Sequence, residues 1–193
     1  AGLGVSFGSC IVLQILRGSK AYFLDGINNM LFKGRMAYNA CNLWTMVGWN
    51  WKQVHLSSEV CLILFIGLML LLTVGMFYLD NKWKKSKKRY LFIALLMYAY
   101  GYCFGMGINE YFALPIVLLS LVCFVVSGNK KVYWGFVAFS IVCFFNQIYT
   151  LSLYDASAFD PMAPSLVIFS FLTLSTLVVM TSWLLSDNKL LVE

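Results

Sequence analysis

The side chains able to do chemistry are few and lie at the edges of apolar segments. Of eight Asp and Glu residues, five (Asp25, Glu59, Glu110, Asp155 and Asp160) fall in polar intervals on the side opposite the densest basic run. Arg17, Lys20, Lys33, Arg35 and Lys52 share that side. Cations beside carboxylates can hold a phosphate group while one acid stays free for proton transfer. From spacing alone, a solvated loop of mixed charge is the plainer reading. The lone His55 has no ligand partner at metal-binding spacing and reads as an interfacial residue. The six cysteines, at 10, 41, 61, 103, 123 and 143, include no C-x-x-C pair and read as small core hydrophobes.

The elements that position these residues follow from composition. The chain has 193 residues, of which 61% are hydrophobic, 17% aromatic and 11% charged. A soluble domain carries about 25% charged residues, so this is a polytopic membrane protein. The net charge of +6 would suggest nucleic acid in a soluble chain. Here six of the nine residues from Asn81 to Arg89 are Lys or Arg between two apolar segments. Membrane topology and contact with lipid headgroups account for that charge, and no nucleic-acid partner is expected.

Short basic loops stay in the cytoplasm during insertion, which fixes the expected orientation. Leu56 to Leu79 runs inward to the basic loop, Tyr90 to Ile108 returns outward and Tyr111 to Ser127 goes back, the last two forming a tight hairpin around Asn109 and Glu110. Lys130 and Lys131 suit the cytoplasm. Val132 to Tyr154 then spans outward, the Pro-containing loop Asp155 to Pro164 forbids a continuous helix, and Ser165 to Leu185 spans inward. Backbone in hydrocarbon must satisfy its own hydrogen bonds, so every span is expected to be helical. The fold class is therefore all-α: a polytopic transmembrane bundle of five complete spans plus one partial N-terminal span.

Residues 1–193 form one transmembrane domain, and the apolar stretch at 1–16 reads as the end of a helix in a fragment of a longer chain. Residues 17–55 make an outer interfacial region. Its apolar groups at Ile27 to Phe32 and Ala40 to Trp51 suit short helices at headgroup level. The plasma membrane and the endoplasmic reticulum are both open as locations.

Two stretches carry a family resemblance. In Met36 to Trp51 (MAYNACNLWTMVGWNW), Asn39, Asn42, Leu43 and Trp44, followed by Gly48 and Trp49, resemble the "sNAfNlW" pattern of polyprenyl-phosphate-sugar-dependent mannosyltransferases of the GT-C superfamily, the GPI-mannosyltransferases among them. In Gly105 to Pro115 (GMGINEYFALP), alignment on Pro115 places Glu110 on the Glu of the "kMHERYlfP" segment and Phe112 on its Tyr. Asn109 stands in place of the His and Tyr111 in place of the Arg, so neutral groups replace two cations that would grip phosphate.

The resemblance covers the chain from about Tyr38 to Leu185 and is similar to the C-terminal membrane half of such an enzyme. It implies transfer of a sugar from a polyprenyl or dolichyl phosphate to an acceptor on the outer or luminal face, with inversion. A carboxylate would deprotonate the acceptor, and cations, sometimes a divalent metal ion, would stabilise the leaving phosphate. Glu110, Asn109, Asn42, Trp44 and Asn39 would shape the donor site, and Arg35 or Lys33 would contact phosphate. The family's catalytic Asp loop has no match in these residues, so the catalytic residue is unassigned. Expected partners are membrane lipid, the lipid-linked sugar and membrane-complex subunits. A non-catalytic GT-C-like subunit tolerates loss of the His and Arg. A small transporter is a third reading, weakened by the scarcity of intramembrane charge.

Overall fold

The computed structural model describes residues 36–51, 58–84, 86–153, 160 and 162–186. Arg35, Lys33, His55, Asp25, Asp155 and the expected helix at Ile27 to Phe32 lie outside these residues. In chain order the elements are β1 (Ala37–Tyr38), α1 (Leu43–Met46), α2 (Ser58–Lys82), α3 (Arg89–Phe104), β2 (Ile108–Asn109), a 3-10 turn (Glu110–Ala113), α4 (Leu114–Ser127), α5 (Lys130–Leu153) and α6 (Pro164–Ser186).

The protein is mostly helical, as composition requires, with one exception: β1 and β2 pair in parallel, Ala37 opposite Ile108 and Tyr38 opposite Asn109. The expectation of helices alone is corrected by this two-residue ladder. Among the described residues three stretches are long and apolar enough to cross a membrane: Glu110–Ser127, Lys130–Ser152 and Pro164–Ser186. The expected span from Tyr90 to Ile108 is corrected to a 16-residue helix that stops at Phe104. Gly105 ends it by turning extended at φ −64°, ψ 145°, and Gly107 adopts φ +67°, a conformation that costs a side-chain-bearing residue but not glycine. The chain from Gly105 to Ala113 is thus a shaped loop instead of a tight hairpin.

Sequence periodicity selects the packed faces. On α3, Phe92, Leu95, Leu96, Ala99, Tyr102 and Cys103 are buried, following the i, i+3, i+4, i+7 spacing of a single helix face. On α6 the buried positions are Leu166, Ser170, Thr173, Leu177, Met180 and Leu184, a narrow stripe. Ile168, Phe171 and Val178 between them stay about two-thirds exposed, at 64%, 64% and 65%. Large aliphatic and aromatic groups left outside a narrow packed seam are what a lipid solvent permits and water does not.

Helices α3, α4, α5 and α6 pack in sequence, and α6 returns to α3 to close the bundle, while α2 leans on α3. Close approach is allowed where α5 carries Gly135: a Cβ there would lie 2.5 Å from the sulfur of Met180 on α6. The four described cysteines, Cys41, Cys103, Cys123 and Cys143, are buried free thiols.

The two ends of the bundle differ in chemistry. At one end Arg89 pairs with Asp80 at 2.6 Å, and Lys82 donates to the carbonyl of Leu185 at 2.9 Å, which ties the basic turn to the end of α6. The other end, beyond the C-terminus of α3, holds β1, β2 and Glu110. Sixteen helical residues separate these ends by about 24 Å. In a chain whose native cysteines are replaced, Lys87→Cys and Asp160→Cys in sealed vesicles should therefore react with an impermeant thiol reagent from opposite sides. Reaction of both from the same side would overturn this two-ended arrangement.

Candidate functional site

The end of α3 creates the problem that the Met36–Trp51 segment solves. The last carbonyls of a helix have no partner within the helix, and burial makes them costly unless a donor arrives from elsewhere. The Asn42 side-chain amide donates to the Tyr102 carbonyl at 3.4 Å. The Trp44 indole N–H donates to the carbonyls of Phe104 and Gly105 at 3.1 and 2.8 Å. The Gly107 N–H donates to the Met36 carbonyl at 2.9 Å, continuing the docking into the β1–β2 pair.

Asn42 also caps α1. Its side-chain oxygen accepts from the backbone N–H groups of Trp44 and Thr45, so both ends of one fully buried amide are used. Gly48, at φ +85°, reverses the chain after α1. That turn lets the Trp49 N–H reach the Trp44 carbonyl at 2.7 Å and stacks the two indoles with centroids 5.6 Å apart. Within the Ala40 to Trp51 stretch, where a short helix is expected, the helix is the four residues of α1, held in a compact plug.

Between the plug, the loop after α3 and the end of α5 lies an open cavity of about 340 Å³ lined by Tyr38, Asn39, Trp51, Asn109, Glu110, Thr150 and Leu151. The rings of Tyr38 and Trp51 meet edge to face, with centroids 5.3 Å apart and planes at 80°. Asn39 and Trp51 have φ of +58° and +57°, the positive-φ non-glycine residues among those described. Such backbone costs about 1–3 kcal/mol per residue and tends to gather at functional sites. Here it is locked: the Trp51 indole donates to the Asn39 side-chain oxygen at 2.6 Å, and the Asn39 N–H donates to that of Asn50 at 2.9 Å.

Glu110 opens the 3-10 turn that leads into α4, where a carboxylate is favoured by the helix dipole. Beside it, the Asn109 amide donates to the Tyr111 hydroxyl at 2.7 Å. The two positions that depart from the family pattern are thus bonded to each other.

Of the residues singled out by sequence, Asn39, Asn109 and Glu110 line the cavity, while Asn42 and Trp44 stand behind it and hold the end of α3. Sequence reasoning missed Tyr38, Trp51, Thr150 and Leu151. The last two come from α5, roughly 40 residues beyond Glu110, and nothing in a Thr-Leu pair within an apolar run marks it. Inside that helix Asn146 is fully buried. Neither atom of its amide, nor the Thr150 hydroxyl, has a hydrogen-bond partner among the described residues. Each group left so costs about 1–3 kcal/mol.

Among the described residues no cation lines the cavity, and no group of three or more His, Cys, Asp or Glu gathers to hold a metal ion. Glu110 is the one carboxylate along the described wall, fewer than an all-protein Ca²⁺ site uses.

No protein-family model, no curated protein and no solved structure matches the chain.

The separation of roles gives a stability test. Asn42→Ala removes a helix cap, worth about 0.5–2 kcal/mol, and also unpairs a buried carbonyl. It should lower the thermal midpoint in detergent clearly, whereas Asn109→Ala, with a solvent-exposed hydrogen bond, should shift it little. Equal shifts would show that Asn42 does not hold the end of α3.

Proposed function

We propose that the chain is the membrane half of a GT-C-type glycosyltransferase that moves a sugar, mannose in the family it resembles, from a polyprenyl-phosphate carrier to an acceptor at the extracytoplasmic or luminal face. In this reading it has five complete spans and a partial first one, with the turn at 81–89 in the cytoplasm. The observation that carries it is the β1–β2 register. Tyr38 lies opposite Asn109, so the two family-like stretches, roughly 70 residues apart in sequence, form adjoining walls of one cavity around Glu110.

The cavity suits the sugar of such a donor. The edge-to-face Tyr38–Trp51 pair offers one aromatic face to a C–H face of a pyranose, while Asn109 and the Glu110 carboxylate meet its hydroxyls. In transfer, the acceptor oxygen bonds to the anomeric carbon from the face opposite the phosphate. The bond to the phosphate oxygen breaks, that oxygen leaves on the lipid carrying the electron pair, and the acceptor proton passes to a base. As the bond breaks the ring gains positive character. A hydroxyl held by Glu110 then becomes more acidic, and its hydrogen bond strengthens in the transition state. The proposed phosphate contact is Arg35, one position before Met36. No base is assigned.

A second reading, a non-catalytic subunit that holds the lipid-linked sugar, is favoured by the lack of a cation along the described cavity wall. Transfer from a lipid-phosphate sugar by the intact protein in lipid separates the two. If Glu110 serves the transition state, Glu110→Gln should lower turnover about 100- to 1,000-fold. Its thermal stability should change by no more than about 1 kcal/mol. Near-normal transfer by Glu110→Gln would remove Glu110 from the site, and binding of the donor without transfer by the wild type would favour the subunit.

A further inference from the structure

Toward the end of the bundle that carries the basic turn, away from Glu110, α3 and α6 leave an open groove of about 480 Å³ lined by Tyr100, Val178, Thr181, Ser182, Leu185 and Ser186. Within it the Tyr100 hydroxyl donates to that of Thr181 at 3.2 Å, which ties the two helices together. Helical Ser and Thr side chains such as Thr73 and Ser170 donate to the carbonyl four residues earlier. The exposed Ser182 hydroxyl makes no hydrogen bond among the described residues and is left for a ligand. Lys82, the last residue of α2, reaches this groove: its ammonium donates to the carbonyl of Leu185 at 2.9 Å. An ammonium has three donors, so two remain. Ser182 stands three residues before Leu185, a separation of about 5–6 Å along one side of a helix. The C-terminal carbonyls of α6 by themselves repel an anion, and the full charge of Lys82 seated on them outweighs a helix end worth about half a charge.

We infer that this groove is a site for one anionic phospholipid, with its phosphate on the Lys82 ammonium and the Ser182 hydroxyl and an acyl chain along α6. Charge complementarity selects the head group. Lys84 and Lys87 stand exposed on the same turn, and the one ion pair there, among the described residues, takes up Asp80 with Arg89 and leaves the lysines uncompensated. The apolar side of the groove selects a lipid over a free phosphate. Val178 lines it one turn deeper than Ser182, and Phe171 follows two turns further along the same face of α6, both largely exposed. A chain laid on that track leads from the polar end of the groove toward the middle of the bilayer. The site is independent of the proposed transferase, since it shares no residue with the Glu110 cavity.

Native mass spectrometry of the intact protein in detergent, titrated with dioleoylphosphatidylglycerol or dioleoylphosphatidylcholine, resolves the first bound lipid and gives its Kd. The wild type should bind the anionic lipid at least about fivefold more tightly than the zwitterionic one. Lys82→Gln should remove about that factor for the anionic lipid and leave the zwitterionic one unchanged. Lys87→Gln, which takes the same charge from the same turn but does not line the groove, should have little effect. Ser182→Trp fills the groove with every charge in place and should weaken the first anionic lipid as well; should Lys82→Gln fail to fold, this variant decides. Equal Kd values for the two lipids in the wild type would overturn the site, and so would equal losses in Lys82→Gln and Lys87→Gln, the mark of diffuse attraction to the turn. Competition by glycerol 3-phosphate at the same concentration would assign the groove to a free phosphate, and a wild-type dimer that Ser182→Trp dissociates would assign it to a second copy of the chain; either overturns the lipid site.

Discussion

The carbonyls at the end of α3, which have no partner within the helix, are the constraint on which the β1–β2 end of the bundle depends. A helix that stops at Phe104 leaves buried and partly buried oxygens, and the chain supplies two side-chain donors from far upstream, Asn42 and Trp44, to meet them. Once these are in place the backbone of Met36 lies beside Gly107, the short parallel ladder follows, and Tyr38 and Asn39 are brought beside Asn109 and Glu110. These donors act together with the packing of α1 on α6 and the β1–β2 pair to place the plug over this helix end.

The same interaction explains a division of labour within one motif. In a run such as NACNLW the closely spaced polar and aromatic residues invite a single role, yet Asn39 lines the cavity while Asn42 and Trp44 bond the helix end. Three residues of chain are enough to turn from one task to the other because Asn39 takes a left-handed conformation, which asparagine tolerates better than most residues. The aromatic walls are then positioned by backbone geometry, not by aromatic packing in the bundle.

Much of the helical content was legible in the sequence because lipid leaves the backbone few alternatives, and the apolar runs expected to end at Ser127, Tyr154 and Leu185 emerge as helices ending at Ser127, Leu153 and Ser186. Less legible was the loop after Phe104. Hydropathy continues through Cys103, Phe104, Met106 and Ile108, so only the glycines at 105 and 107 signalled that the helix ends early, and glycine within an apolar run is common in membrane helices. That the two motif-like stretches meet at one end of the bundle was readable from the sequence, but Asn39, and not Asn42 or Trp44, is the residue paired with Asn109. Thr150 was not readable, since nothing about a Thr inside a long apolar helix marks it as a cavity-lining residue.

The cavity's walls come from positions as distant as Tyr38 and Thr150, roughly 110 residues apart in the chain. Every intervening helix has to be emitted and inserted before the last wall exists. A nascent chain with only its first helices in the bilayer already contains both motif-like stretches, but not the surface that would complete them. Quality control that senses the completed cavity would thus be reading whether α5 has docked, and a ligand present during synthesis would act on a late assembly step, as a chaperone for the closing of the bundle.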